Sequence, residues 1–166
     1  MNQLAYDGRA SHQALADALS TSASTVKRRM DQLTRLGLLR LRCDFARPLG
    51  GWPVGVTFWA TVPTADLADI GHDLIRLPQT RNCAAISGPH NLVLQAALHS
   101  VEDVLYLEHQ IATTCPSLEI ADRAITLRYD KIMGHVLDPY GRSVGVVPPD
   151  VWSDPADAAP GRTDRR

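Results

Sequence analysis

Apolar residues recur every three or four positions in the first part of the chain, which predicts an amphipathic helix from Ala23 to Leu36. One face of this helix collects its apolar side chains, Val26, Met30 and Leu33. Ser22 can accept the free amide hydrogens of the first turn, and Gly37 supplies the left-handed residue that ends a helix. The opposite face is mostly cationic, so one side of the helix is built for burial and the other for contact with a negative partner.

A shorter helix is predicted just upstream, over His12–Leu19, with Ser11 as its cap. Its apolar stripe consists of Leu15, Ala16 and Leu19. Two short helices joined by a tight polar turn, the second of them basic, are typical of a helix-turn-helix. Such domains begin with a full helix, whereas residues 1–6 leave room only for a truncated one. The clipped start suggests a fragment, a misplaced start or the latter part of a longer polypeptide.

Residues 38–44 alternate between apolar and polar side chains, which predicts a half-buried strand or wing after the second helix. The alternation places Arg40 and Arg42 on the same side. A winged helix-turn-helix is therefore predicted over residues 1–46.

A different pattern begins at residue 54. Strands are predicted over 54–62, 83–87, 92–98 and 120–131, with alternating apolar residues in the first, third and fourth, and helical spacing predicts helices after Pro63 and Ser100. The order strand, helix, strand, strand, helix, strand is that of a ferredoxin-like βαββαβ domain, a four-stranded antiparallel sheet with both helices on one face. The other face carries residues such as Trp59 without a helix to cover them, which predicts self-association through the sheets.

Breaks in periodicity set the domain boundaries. Residues 47–53 are rich in Pro and Gly and are predicted to link the helix-turn-helix to a second domain over 54–138. Pro, Gly, Asp and Arg dominate residues 139–166, which predicts a disordered tail. The overall fold class is α+β.

Charge is distributed unevenly along the 166 residues. Residues 1–50 hold eight Lys or Arg and four Asp, whereas the remainder holds nine Lys or Arg and fourteen Asp or Glu. This asymmetry favours a basic part that faces nucleic acid, joined to an acidic part with another role. Three cysteines without metal or redox spacing favour a reducing, cytoplasmic location. No apolar run approaches the length of a membrane span.

The basic helix supplies the candidate DNA contacts. Side chains early in the second helix of such a motif contact base edges, while flanking cations hold phosphates. We predict Ser24, Thr25 and Arg28 for the major groove with Gln32 further along, and Lys27 and Arg29 for the phosphate backbone, with Ser22 at the helix start. An alternative for Arg29 is a surface ion pair with Asp7 or Asp31.

Several of these segments resemble the Lrp/AsnC family, the leucine-responsive and feast/famine regulators. The likeness rests on residues 7–11, 15–20 and 22–29, then on Leu33 and residues 37–39, and it extends in weaker form over the second domain. The resemblance implies a transcription regulator that binds double-stranded DNA, dimerises through its sheets, often forms higher oligomers and responds to an amino acid or a related metabolite. Some long members carry two such halves in tandem, which would suit the clipped start.

The same resemblance places a candidate effector site at the turn formed by Gly88, Pro89, His90 and Asn91, where the family has a Gly-x-x-Asp hairpin. Gly88 permits close backbone approach, and His90 and Asn91 offer polar groups. Asn91 lacks the charge of the family's Asp, and an ordinary hairpin turn is an equally good interpretation. The six histidines show no paired ligand spacing, so neither a metal site nor a cofactor is predicted.

Two other functions remain open from the sequence. The chain also resembles haem-pathway decarboxylases of the same architecture, an enzyme class in which His90, His99 and His135 would line a tetrapyrrole pocket. A third possibility is a metabolite-binding or assembly module that has lost DNA binding with its first helix. The retained basic helix face favours a regulator without catalytic residues.

Overall fold

The computed structural model describes residues 2–149. It divides into two compact units. The first comprises the chain up to Asp44 together with Lys131–Val136 and the segment that follows Arg142, and the second comprises Phe45–Asp130 and Leu137–Arg142. The segment predicted as a linker, 47–53, thus belongs to the second unit.

Three helices form the first unit's helix-turn-helix: α1 (Asn2–Tyr6), α2 (His12–Ala18) and α3 (Ala23–Arg35). Helix α1 is five residues long, as short as the sequence predicted. Leu15 and Ala16 of α2 pack against Val26 of α3 in a small buried core. The prediction that Leu19 joins this stripe is wrong, because α2 ends before it and its side chain is 53% exposed.

The second unit contains a four-stranded antiparallel sheet and two helices, as the ferredoxin-like prediction required. In chain order the elements are β1 (Val54–Thr61), α4 (Leu67–Leu74), β2 (Thr80–Ala85), β3 (Leu92–Leu98), α5 (Asp103–Thr114) and β4 (Glu119–Thr126). The strands lie in the order β2-β3-β1-β4. The last strand was predicted to run to residue 131 but ends at Thr126, because its partner there is Gly55, near the start of β1.

One face of the sheet and both helices enclose the core. Val56, Phe58 and Ala60 of β1 are almost completely buried. They pack with alternate residues of β3 and with one side of each helix: Leu92, Leu94, Ala96, Leu98, Ile70, Leu74, Val104, Leu107 and Ile111. This alternation is the period-two pattern that the sequence displays.

The opposite face of the sheet carries small and polar residues. Across β1, Thr57 lies opposite Gln95 and Ala124, and Trp59 lies opposite Val93 and Asp122. Trp59 is half-buried. The core cluster that joins α4 and α5 to the sheet includes none of these residues.

Two sequence predictions for irregular segments need correction. The wing predicted over residues 38–44 is absent, since the structure shows no strand there and no partner strand in the described part of the chain. A strand needs a neighbour for its backbone hydrogen bonds.

The tail predicted to be disordered from residue 139 contains a strand, β7 (Ser143–Val146). It completes a small sheet with β5 (Lys131–Ile132) and β6 (His135–Leu137). The rest of the predicted tail, 150–166, lies outside the described residues.

Candidate nucleic-acid interface and effector hairpin

Helix α3 has a defined beginning and end. At its start, the Ser22 hydroxyl oxygen accepts a hydrogen bond from the Thr25 backbone N–H at 3.2 Å and donates to Thr25 Oγ1 at 2.9 Å. At its end, Gly37 has a φ of +70°, and the N–H groups of Leu38 and Gly37 donate to the carbonyls of Leu33 and Thr34 at 2.9 and 3.0 Å. This pair of bonds is a Schellman motif, so both ends of the helix are closed by the groups that the sequence predicted.

The predicted DNA-contacting residues divide into two sets by exposure. Ser24, Lys27, Arg28, Arg29 and Gln32 are exposed, and so is the capping residue Ser22. Thr25 is half-buried, and its hydroxyl already accepts the bond from Ser22. Ser22 and Thr25 therefore shape the helix start, while the other side chains remain accessible to a partner.

The exposed residues of α3 form a strip with cationic flanks. Ser24, Arg28 and Gln32 follow one another at intervals of four residues and so share one side of the helix. Lys27 and Arg29 lie about 100° to either side of Arg28. Within the described residues, Arg29 makes no ion pair with Asp7 or Asp31, so its charge is available to an anionic ligand.

The turn before α3 is held by backbone bonds from α2. Ser20 adopts a φ of +49°, and the N–H of Thr21 donates to the Ala16 carbonyl at 3.0 Å. A positive φ costs a side-chain-bearing residue about 1–2 kcal/mol. The turn is therefore well defined but locally strained at Ser20.

At the candidate effector hairpin, Asn91 makes a pair of hydrogen bonds within the fold. Its Oδ1 accepts from the Val62 N–H at 2.9 Å, and its Nδ2 donates to the Val62 carbonyl at 2.7 Å. Its own backbone N–H donates to the Ala60 carbonyl at 3.2 Å. The side chain thus acts as one more strand partner for the end of β1, and it retains a second lone pair on Oδ1 and a second N–H on Nδ2 for a further partner.

The remaining hairpin residues are more open. Gly88 has a φ of +136° with open space around it, and Pro89 is exposed. The His90 Nδ1 lies 3.3 Å from Thr61 Oγ1. Gly88, Pro89 and His90 are therefore the accessible part of the predicted effector site.

Comparison with known protein families concerns the helix-turn-helix. Residues 1–34 match the AsnC-type helix-turn-helix domain. The match ends inside α3 and covers α1, α2 and the turn described above. A comparison with curated protein sequences gives no match.

Solved structures match the fold of both units. E. coli AsnC superposes with a TM-score of 0.69 at 16% identity, covering 79% of this chain and 89% of that one. A feast or famine regulatory protein (Rv3291c) from M. tuberculosis, complexed with L-methionine, gives 0.73 at 22% identity, with 79% and 89% coverage. The leucine response regulatory protein LrpA of Mycobacterium tuberculosis gives 0.70 at 21% identity, with 79% and 90% coverage. Together with the AsnC-type match over residues 1–34, these structures confirm the resemblance to the Lrp/AsnC family.

Outside the AsnC-type domain, the three histidines considered for a tetrapyrrole pocket each lie against a different polar group. His90 lies beside Thr61, His99 Nδ1 lies 2.5 Å from the Gly51 carbonyl, and His135 Nδ1 lies 2.9 Å from Ser143 Oγ. No group of metal-ligating side chains occurs among the described residues. No helix in the described part of the chain is long and apolar enough to cross a membrane.

One cluster was not anticipated from the sequence. The Trp52 ring lies 3.8 Å from the His99 ring, centroid to centroid, and the Arg81 guanidinium lies 5.6 Å from the Trp52 ring on the same unit. Trp52 is part of the segment predicted as a free linker. Periodicity gave no signal for this packing, because the partners of Trp52 lie 29 and 47 positions further along the chain.

Proposed function

We propose that this chain is a sequence-specific, DNA-binding transcriptional regulator that inserts α3 into the major groove. One observation carries the proposal. The AsnC-type helix-turn-helix presents a capped helix whose exposed side chains include Lys27, Arg28 and Arg29, while its apolar side is buried against α2. A rigid helix with a cationic outer face has the shape and charge that a duplex requires.

Within this proposal the side chains have different roles. Ser24, Arg28 and Gln32 lie on the strip farthest from the buried side and contact base edges. Arg28 supplies the strongest selectivity, because a guanidinium can form two hydrogen bonds to a guanine. Lys27 and Arg29, on the flanks, hold phosphates and set the register of the helix in the groove.

We further propose that two copies associate through the open face of the sheet around Trp59. Small and polar residues surround Trp59 on this face, and the half-buried Trp59 offers the large apolar side chain around which a second copy could pack. A two-fold dimer would carry two copies of α3, and dimers of helix-turn-helix proteins usually bind two half-sites of one duplex.

The same proposal extends to an effector at the hairpin of Gly88, Pro89 and His90. The support is the open space at Gly88 and the L-methionine complex of a structural neighbour. Thermal shift measurements with a panel of amino acids, beginning with L-methionine, test it. We expect a stabilising shift with at least one of them, and no shift with any would contradict an amino-acid effector.

DNA binding is tested by fluorescence anisotropy with a labelled duplex of mixed sequence. The wild type is compared with Lys27→Gln/Arg28→Gln, and with Arg76→Gln/Arg128→Gln as a control of equal charge change in the second unit. We expect the α3 variant to bind at least about ten-fold more weakly and the control to resemble the wild type. A wild-type protein that does not bind DNA, or an α3 variant that binds as well as the control, would contradict the proposal.

A further inference from the structure

Residues 38–43, which follow the end of α3 at Gly37, carry two exposed arginines, Arg40 and Arg42. We define these residues as the basic segment. It forms no strand, and all of its residues are exposed except Leu39, which is half-buried. It nevertheless stays attached to the helix, because the N–H groups of Leu38 and Leu39 both donate to the Leu33 carbonyl, at 2.9 and 3.2 Å. The segment thus leaves α3 from a fixed point.

The two arginines of the basic segment differ from most arginines of the second unit. Arg123 and Arg128 make ion pairs with Glu108 and Asp130. A second group has guanidinium groups over aromatic rings: Arg47, Arg81 and Arg142. Within the described residues, neither Arg40 nor Arg42 has an ion pair, a side-chain hydrogen bond or a ring contact.

The position of these charges continues the cationic side of α3. Residues 27–42 hold six Lys or Arg and a single acidic residue, Asp31. Arg40 follows the helix end at Gly37 by three residues, which an extended chain spans in about 10 Å. Arg40 and Arg42 are two residues apart and so lie within about 7 Å of each other along the chain. That separation allows both to reach phosphates on one stretch of a DNA strand.

We infer that the basic segment is a second DNA-contacting element, in which Arg40 and Arg42 bind backbone phosphates beside the major groove that α3 enters. The inference rests on the proposed function. The basic segment contributes to affinity and register rather than to sequence preference, because phosphates carry no sequence information. The apolar residues Leu38 and Leu41, which are 65% and 62% exposed, would be partly covered by the same duplex.

The salt dependence of DNA affinity tests this inference, because each phosphate contact contributes about 0.9 to the slope of the logarithm of the binding constant against the logarithm of the salt concentration. Anisotropy titrations with a labelled mixed-sequence duplex compare the wild type with Arg40→Gln/Arg42→Gln. We expect the slope to fall by about 1.8, so that the loss of affinity between about 50 mM and about 200 mM salt becomes about ten-fold smaller. Circular dichroism should show unchanged helix content.

Two further variants separate charge from structure. Arg40→Lys/Arg42→Lys keeps the charges and should keep the wild-type slope. Arg76→Gln/Arg128→Gln removes two charges from the second unit and should also leave the slope unchanged. A wild-type slope in the Arg40→Gln/Arg42→Gln protein would overturn the inference alone. Failure of the wild type to bind the duplex would overturn the proposed function as well.

Discussion

The hydrogen bonds of Asn91 allow a quantitative prediction for the Asn91→Ala variant. The substitution removes the partners of both the N–H and the carbonyl of Val62, a residue that is 3% exposed. Leaving a buried backbone group without a partner costs about 1–3 kcal/mol. Because Asn91 is half-buried rather than buried, we take the lower end for each group and expect a total loss of about 2 kcal/mol.

The assay is thermal unfolding followed by tryptophan fluorescence, since Trp52 and Trp59 both belong to the second unit. For a domain of this size, about 2 kcal/mol lowers the melting temperature by about 8–16 °C. Asn82→Ala is the matched control, because Asn82 is exposed and its side-chain bond to Gln95 is 3.4 Å long. That variant should change the stability by less than about 0.5 kcal/mol.

The Asn91→Asp variant separately tests the hydrogen bond that Asn91 Nδ2 donates to the Val62 carbonyl. A carboxylate can still accept from the Val62 N–H, but it faces the Val62 carbonyl without a proton to donate, so the pKa of the introduced carboxyl should rise above its usual range. A carboxyl whose pKa is higher in the folded than in the unfolded protein binds its proton more tightly when folded. Its protonation therefore stabilises the fold as the pH falls below the folded-state pKa. The difference in free energy of unfolding between Asn91→Asp and wild type should therefore shrink as the pH falls toward about 4. Equal melting temperatures for Asn91→Ala, Asn82→Ala and wild type would refute the structural role.

Three further predictions concern other parts of the molecule. Ser20→Gly should stabilise the helix-turn-helix by up to about 1 kcal/mol in chemical denaturation, because it relieves the positive φ; a destabilised variant would argue against that strain. Cys43 is exposed, whereas burial raises the thiol pKa of Cys83 and of Cys115, so mass spectrometry after brief alkylation should find Cys43 modified first, and equal rates would contradict the burial. Trp59→Arg should shift the sedimentation of the protein toward monomer, and an unchanged sedimentation coefficient would exclude the open face as the interface.

The features that the sequence predicted well are those determined by neighbouring residues. The start and end of α3 follow from Ser22 and Gly37, which bond to groups within a few positions of themselves. The strands of the second unit follow from alternating burial, which depends only on which residues are apolar. The ferredoxin-like order emerges from these local patterns because few arrangements of the same elements can share one core.

The features that the sequence missed depend on partners distant along the chain. Residues 38–44 alternate like a strand but have no neighbouring strand in the described structure. The hydrogen bonds between the Asn91 side chain and Val62 were not predicted, because Val62 lies 29 positions away and bonds through its backbone. Trp52 likewise gave no indication of its stacking on His99. Periodicity cannot show which distant backbone group a polar side chain will meet.

The proposal that the outer strip of α3 recognises base sequence is tested most directly by binding-site selection from a randomised duplex library. Wild-type protein should enrich a defined motif, and Arg28→Ala should bind that motif about 1–3 kcal/mol more weakly while its preference relaxes at one base pair. Enrichment of the same motif with undiminished affinity by Arg28→Ala would contradict the account.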